Sequence, residues 1–594
     1  MLGTHTVSLM NLDAMAEGKS NSAVVEQLRL VNQSRQLILL RAVLDRAQQR
    51  AVTLTPLPTL DEAWTLLAEV EQSNKAAVDQ VLAHPQNGLW AARVLRRLSH
   101  EPEVGDGPPL WFELGRLHLL ATAAAIRARH DFRLRVPVWR GTLMVPTIGL
   151  ADIRSRREWD FAQVHGERGS VLIRGTAGSV QVPENPAQDG DGWIALRTLR
   201  ADGYELWLDD IDPYREFDGP VPPRRLLKRE ADLWADGFHA TWRLLTTHHP
   251  SIADELATAM TSLVPHAMTE RLEPFSASHH EVFGSAMLSR PTDPVTFAAT
   301  LVHELQHSKF GVLLTLIDLL DPSADNDTAR LYAPWRDDPR PPTAALHGVF
   351  SFLGVTAFYR QQHTVTTGRQ ARTAQFEYAY SREQTLRATD TLLVDAVLSA
   401  LGRRFLTKAR NRLQSWDSDP LPEDVRAAAH RANLDHHLTW RLRHLHPPRE
   451  MVEDLATAWL RHRPNRFTNP PNPVLRPSTG SLTHARLALV RTWLTEPDRY
   501  DEYRAEPDLA ITEINGMTAA DLALIDNRTD EAAELYQQQI LEAPDSPTAW
   551  AGLALSIEND LLLSQPELVL AVHREIRSLS GAVTNPVRLA QWLR

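Results

Sequence analysis

Two histidines one helical turn apart, His303 and His307, interrupt an otherwise apolar periodic segment, DPVTFAATLVHELQHSKF, running from Asp293 to Phe310. Asp293 is a good N-cap and Pro294 suits the first helical position, which predicts a helix starting there and running toward Asp321-Pro322. On such a helix the two imidazoles share one face, about 6 Å apart, a spacing that can chelate one divalent metal. Glu304 between them is rotated by about 100° and cannot comfortably serve as a third ligand from the same turn. It is placed to hydrogen-bond a metal-bound water or to orient a substrate. Apolar Phe297, Leu301, Leu305, Val312 and Leu316 predict a buried helix, in which unliganded neighbouring histidines would carry a desolvation cost. Chance alone yields only about 0.06 such HExxH pentapeptides in a chain of this composition, so metal binding is favoured over two idle histidines.

A metal needs at least one more ligand. Downstream candidates are His347, Glu377 and Glu383. His347 ranks first because it is a polar intrusion at the start of the apolar run LHGVFSFLGVTAFYR, and Glu377 in FEYAYSRE ranks second. Between the HExxH helix and this run lies the connector LYAPWRDDPRPPTAALHG, with Arg336 and Arg340 flanking Asp337-Asp338-Pro339. A guanidinium held there is either a bidentate partner for a substrate carboxylate or a surface group paired with those aspartates.

The 594 residues contain no cysteine, which excludes disulfides, thiolate metal sites and cysteine nucleophiles, so any metal must use His, Asp or Glu. Hydrophobic residues at 43% and charged residues at 23% match a globular chain, and a net charge of −11 gives no general attraction to nucleic acid or anionic lipid. The first thirty residues show no basic segment followed by an apolar core, and no apolar run is long enough to span a bilayer; the cytoplasm is the expected location.

Texture along the chain predicts a mainly α protein with a β-rich segment, an α+β multidomain chain whose metal site sits on a long helix and not in a jelly roll. Residues 1–132 read as a helical N-terminal region, 133–222 as β-rich with Gly, Pro and Asp turns, and 223–415 as a helical catalytic region. Residues 416–594 read as a C-terminal helical region. The proline-rich stretch from Arg461 to Ser478 marks a linker or long loop. Ala532 to Glu558 resembles one tetratricopeptide unit, either an ordinary helical hairpin or a peptide-docking surface. His430, His436, His437, His444 and His446 are expected to form a surface or interface cluster. Asp209, Asp210, Asp212 and Arg215 are expected to form a structural turn with a salt bridge, or part of a substrate groove.

Taken together, His303 to His307, the connector APWRDDPRP, the following LHGVFSF, the N-terminal SRQLILLRAVL, VPTIGLADI and LDDIDPYR resemble the actinobacterial HExxH proteins encoded beside ribosomally made peptides. That family is described as α-ketoglutarate-dependent peptide β-hydroxylases, and the resemblance extends over most of residues 1–450. It implies a non-haem Fe(II) centre that uses 2-oxoglutarate and O₂ to hydroxylate a side-chain β-carbon of a precursor peptide with leader and core. Under that reading His303, His307 and His347 ligate iron, a departure from the usual two-His, one-carboxylate set. Arg340 or Arg336 clamps the far carboxylate of 2-oxoglutarate, and Glu304 hydrogen-bonds water, ligand or substrate. The alternatives are a zinc metallopeptidase, with Glu304 activating water and Tyr332, Tyr359, Tyr378 or Tyr380 as oxyanion stabiliser, and a non-catalytic helical peptide-binding scaffold.

Overall fold

The computed structural model describes residues 5–99, 107–266, 275–326, 328–465, 472–480, 482–581 and 583–594. The protein is mainly α-helical with a β segment, as its sequence predicts. It divides into two compact units, Met1–Leu12 with Lys19–Ile317, and Asp13–Gly18 with Asp318–Arg594. The helical region expected over residues 223–415 is therefore shared between the two. Among the described residues no helix is long and apolar enough to cross a membrane.

In the first unit, capped helices precede and cover a seven-stranded antiparallel sheet. Asn21 accepts the backbone N–H of Val24 to start the helix Ser22–Gln49, and Thr59 with Glu62 forms a capping box for Leu60–Ser73. The strands are β1 (Phe132–Trp139), β2 (Thr142–Val145), β3 (Gly149–Asp152), β4 (Trp159–Glu167), β5 (Ser170–Arg174), β6 (Ser179–Gln181) and β7 (Trp193–Ala195), in the order β6-β5-β4-β1-β2-β3-β7. The alternation of buried and half-buried residues in β4 is the period-2 pattern of a strand with one face in the core. The buried faces of β1, β4 and β5, with Val136, Val164 and Ile173, share one apolar core with Leu117 and Leu120 of the helix Arg116–Ala128. At one end of the β1–β4 pair, Trp139 stacks on Trp159 with centroids 5.6 Å apart.

A second sheet was only partly legible. It comprises β8 (Arg197–Ala201), β9 (Tyr204–Leu208), β10 (Ser262–Pro265), β11 (Ser276–Ala277) and β12 (Ser285–Leu288), in the order β11-β12-β10-β9-β8. β10 runs parallel to both β9 and β12, while β8 and β11 are antiparallel to their neighbours. The sequence reading kept residues 226–415 helical, and β10 and β11 correct it. Short strands such as Ser-Leu-Val-Pro show a continuous apolar run with no alternation, because burial on both faces removes the periodic signal.

In the second unit, the long helices Pro342–Val365 and Gly368–Asp395 form a hairpin against Ala400–Ser415 and Glu423–His444. The segment Asp13–Gly18 is fastened to it by Arg404 on Asp13 and by Lys408 on Glu17. Farther along, Arg486 is buried and bridges three helices, pairing with both oxygens of Asp435 and with Asp521. The tetratricopeptide-like stretch forms the helices Thr529–Glu542 and Pro547–Ile557, which meet so closely that a Cβ on Gly552 would lie 2.2 Å from the Tyr536 ring. Of the proline-rich stretch, residues 466–471 lie outside the described residues. Its Val474–Leu475 is β14, which pairs with β13 (Leu445–His446).

Candidate metal centre

The helix Pro294–Leu313 starts as predicted, with Asp293 accepting the N–H groups of Val295 and Thr296. It ends earlier than predicted. Beyond Leu313 the chain tightens into three-residue turns, with the N–H of Thr315 on the carbonyl of Val312 and that of Leu316 on Leu313, so Asp321-Pro322 is not its end.

Three contacts within the first unit hold this helix. Phe297 packs edge-on against Trp234 of the helix Lys228–His248, centroids 5.9 Å apart. Buried Lys309 donates to Glu255 at 2.6 Å and to Ser20 at 2.6 Å. Its flank adjoins β11 and β12, where the hydroxyls of Ser276 and Ser278 meet Glu304.

His303 and His307 turn to each other, their Nε2 atoms 3.0 Å apart and their rings inclined at 73°. Burial pushes the His303 imidazolium down to about 4, so the ring is neutral at physiological pH, the form that ligates a metal. Glu304 is only 1% exposed; burial pushes its carboxyl up to about 7, opposed by the two serine hydroxyls. Its Oε2 has no hydrogen-bond partner. The spacing of the two nitrogens suits a divalent metal. Two nitrogens at about 2.1 Å from one ion lie about 3.0 Å apart on an octahedral edge and about 3.4 Å apart on a tetrahedral one.

The remaining predicted residues belong to the second unit. His347 stands in the second turn of Pro342–Val365, its carbonyl accepting the Ser351 hydroxyl. Next to it, Gly348 is obligatory, since a Cβ there would lie 2.0 Å from the Trp335 ring, which also stacks on Phe352. The connector is thereby pressed onto the start of its own helix. Leu331 and Arg340 close it with reciprocal backbone hydrogen bonds of 2.8 and 2.9 Å. Arg336 and Arg340 reach the same carboxylate, Asp338, at 3.4 and 3.1 Å. An oxoacid clamped by Arg340 has to compete with Asp338.

Asp337 does not pair with the arginines. Its Oδ2 accepts the N–H of Leu482 at 2.8 Å and its Oδ1 lies 3.0 Å from Nε2 of His484 and 3.8 Å from that of His436. Its backbone carbonyl meets His444 at 2.7 Å. These partners hold its carboxyl far below the usual range. Of the histidines expected to form a surface or interface cluster, His436 and His444 are buried and hold the connector, while His430 pairs with Glu383 at the surface. No spacing rule could reveal this, because the partners come from residues a hundred positions away.

The second-ranked ligand is engaged. Both oxygens of Glu377 bind Arg491, at 2.9 and 3.2 Å, an arrangement that leaves it a salt-bridge residue. Two of the tyrosines considered as oxyanion stabilisers are also committed: Tyr332 to His436 at 2.8 Å and Tyr378 to Asp419 at 2.5 Å.

Comparison with protein-family models and with curated proteins finds no match to this chain.

Proposed function

We propose that the chain is a non-haem Fe(II)/2-oxoglutarate-dependent oxygenase that hydroxylates a side-chain β-carbon of a ribosomally made precursor peptide. The observation that carries the metal is the 3.0 Å approach of His303 Nε2 and His307 Nε2, which matches the edge of an octahedral centre. The sequence resemblance, carried by the motif, the connector and the segments around them, selects iron and 2-oxoglutarate over zinc.

An extended peptide fits the surroundings. Among the described residues β11 is an edge strand that pairs with β12, and Ser276 within it meets Glu304, so a peptide added along that edge would run beside the HExxH helix. Bound at His303 and His307, Fe(II) would activate O₂ at the expense of 2-oxoglutarate, which leaves as succinate and CO₂ while the second oxygen atom enters the peptide C–H bond. The two imidazoles hold the ion, and Glu304, anchored by Ser276 and Ser278, orients water or substrate. Its elevated proton affinity lets it donate as well as accept a hydrogen bond near neutrality.

The zinc metallopeptidase is the second reading, favoured by one observation: the unpartnered Oε2 of Glu304, a carboxylate oxygen ready to take a proton from water. Anaerobic reconstitution with Fe(II), then 2-oxoglutarate, candidate peptide and air, separates the two. A peptide mass gain of one oxygen with stoichiometric succinate is expected. New peptide termini with zinc and no oxoacid consumption would replace the oxygenase by the peptidase, and a chain that purifies without metal and loses nothing on chelation would be a scaffold.

A further inference from the structure

The first unit contains another group of metal-ligating side chains. His84, in the short connection between the helices Lys75–Leu82 and Gln86–Ser99, faces the turn that follows β9. His84, Asp209 and Asp212 are all 0% exposed, and one donor atom from each lies within 4.8 Å of the others. Nε2 of His84 is 3.6 Å from Oδ2 of Asp209, too far for a hydrogen bond. Neither ring nitrogen of His84 nor Oδ2 of Asp209 has a hydrogen-bond partner.

The rest of the turn is satisfied. Oδ1 of Asp209 accepts the N–H groups of Ile211 and Asp212, at 3.4 and 2.9 Å. Asp212 accepts two hydrogen bonds from Arg116, at 3.1 and 2.9 Å, and one from the N–H of Tyr214 at 2.8 Å. A carboxylate has about four acceptor positions, so Asp212 keeps one and Asp209 keeps its whole Oδ2. The atoms left without partners are therefore the ones that face each other. An imidazole and a carboxylate oxygen buried together without hydrogen bonds carry a large desolvation cost, and buried polar atoms ordinarily find such partners.

We propose that His84, Asp209 and Asp212 bind a divalent cation of the zinc or manganese class, a centre separate from His303 and His307. Two ligands of a tetrahedral ion at about 2.1 Å stand about 3.4 Å apart, close to the separation of His84 and Asp209. One imidazole and two carboxylates suit an ion between the soft and hard extremes. Each aspartate brings one negative charge to the ion, and Arg116, itself held by Asn87, fixes the orientation of Asp212. With no exposed ligand the ion enters as the chain folds and ties the start of the helix Gln86–Ser99 to the end of β9. Its role is structural.

Metal content of the full-length chain, refolded with Zn²⁺, Mn²⁺ or Fe²⁺ and desalted, tests this. Two equivalents are expected in the native sequence, one in the His303→Ala/His307→Ala double variant, and one in His84→Gln. Refolding without metal should lower the melting temperature of the double variant by several degrees. If His84→Gln fails to fold, the double variant, with all three proposed ligands intact, decides alone. A double variant that binds less than a tenth of an equivalent and melts identically with and without metal would overturn the proposal, leaving His84, Asp209 and Asp212 as a metal-free buried cluster.

Discussion

Nε2 of His303 lies 3.0 Å from Nε2 of His307 across one turn of the helix Pro294–Leu313. The helix itself creates this pairing, so if the pair chelates the proposed metal, removing either ring removes half of the chelate. His303→Ala is expected to lose the metal equivalent bound there and all peptide modification, with unchanged far-ultraviolet circular dichroism. Metal retained at full stoichiometry by His303→Ala and by His307→Ala would mean that the pair is a hydrogen-bonded couple and no chelate.

Lys309, two residues beyond the motif, is buried against Glu255 at 2.6 Å. Glu255→Gln would leave that ammonium without its counter-charge, and a loss of about 3 kcal/mol in unfolding free energy is expected. Urea denaturation measures it. A loss below about 0.5 kcal/mol would show that the pair does not hold the helix.

His118 is wholly buried, its Nε2 3.2 Å from the carbonyl oxygen of Pro58, and burial holds its pKa at about 4. The unfolded chain protonates this histidine near its ordinary 6.5 while the folded chain does not, so stability is full above that value and falls as pH drops toward about 4. Between pH 7 and 5 the loss from this group alone is expected to be about 2 kcal/mol. His118→Gln should flatten the pH dependence of the urea midpoint by that amount; an unchanged slope would assign the acid sensitivity to other groups.

Asp337 collects His484, His436 and the N–H of Leu482 around one carboxylate. Asp337→Ala is expected to cost about 2–4 kcal/mol and to open the connector that carries Arg336 and Arg340 to proteolysis. Equal digestion rates of native and variant chains at the connector would contradict the assignment.

Arg340 and Arg336 share Asp338. If Arg340 clamps the oxoacid, Arg340→Ala should raise the KM for 2-oxoglutarate at least about 10-fold with metal content unchanged, and Asp338→Asn should lower that KM by freeing the guanidinium. An unaltered KM in Arg340→Ala would transfer the clamp to Arg336 or elsewhere.

The legible parts were those encoded by neighbours in sequence. The cap at Asp293, the i, i+4 imidazoles and the β-rich texture of residues 133–222 follow from local patterns alone. The early end of the HExxH helix was not legible, because Gly311 lies within its last turn and the residues that tighten beyond it, Leu314 to Ile317, include neither proline nor glycine. β10, a short apolar run buried within a sheet, reads the same as a buried helix segment. Glu377 looked like a ligand until Arg491 was found on both its oxygens.

The sequence by itself determined the α+β class, the helix that pairs His303 with His307 and the absence of thiol chemistry, since each depends on composition or on residues a few positions apart. Only the tertiary structure decided that Ser276 meets Glu304, that Asp337 belongs to the histidines and not to the arginines, and that His84 faces Asp209. Those pairings join residues from 28 to 147 positions apart. Which charges and hydroxyls end up together across such distances is set by the packing of whole elements, and no local pattern records it.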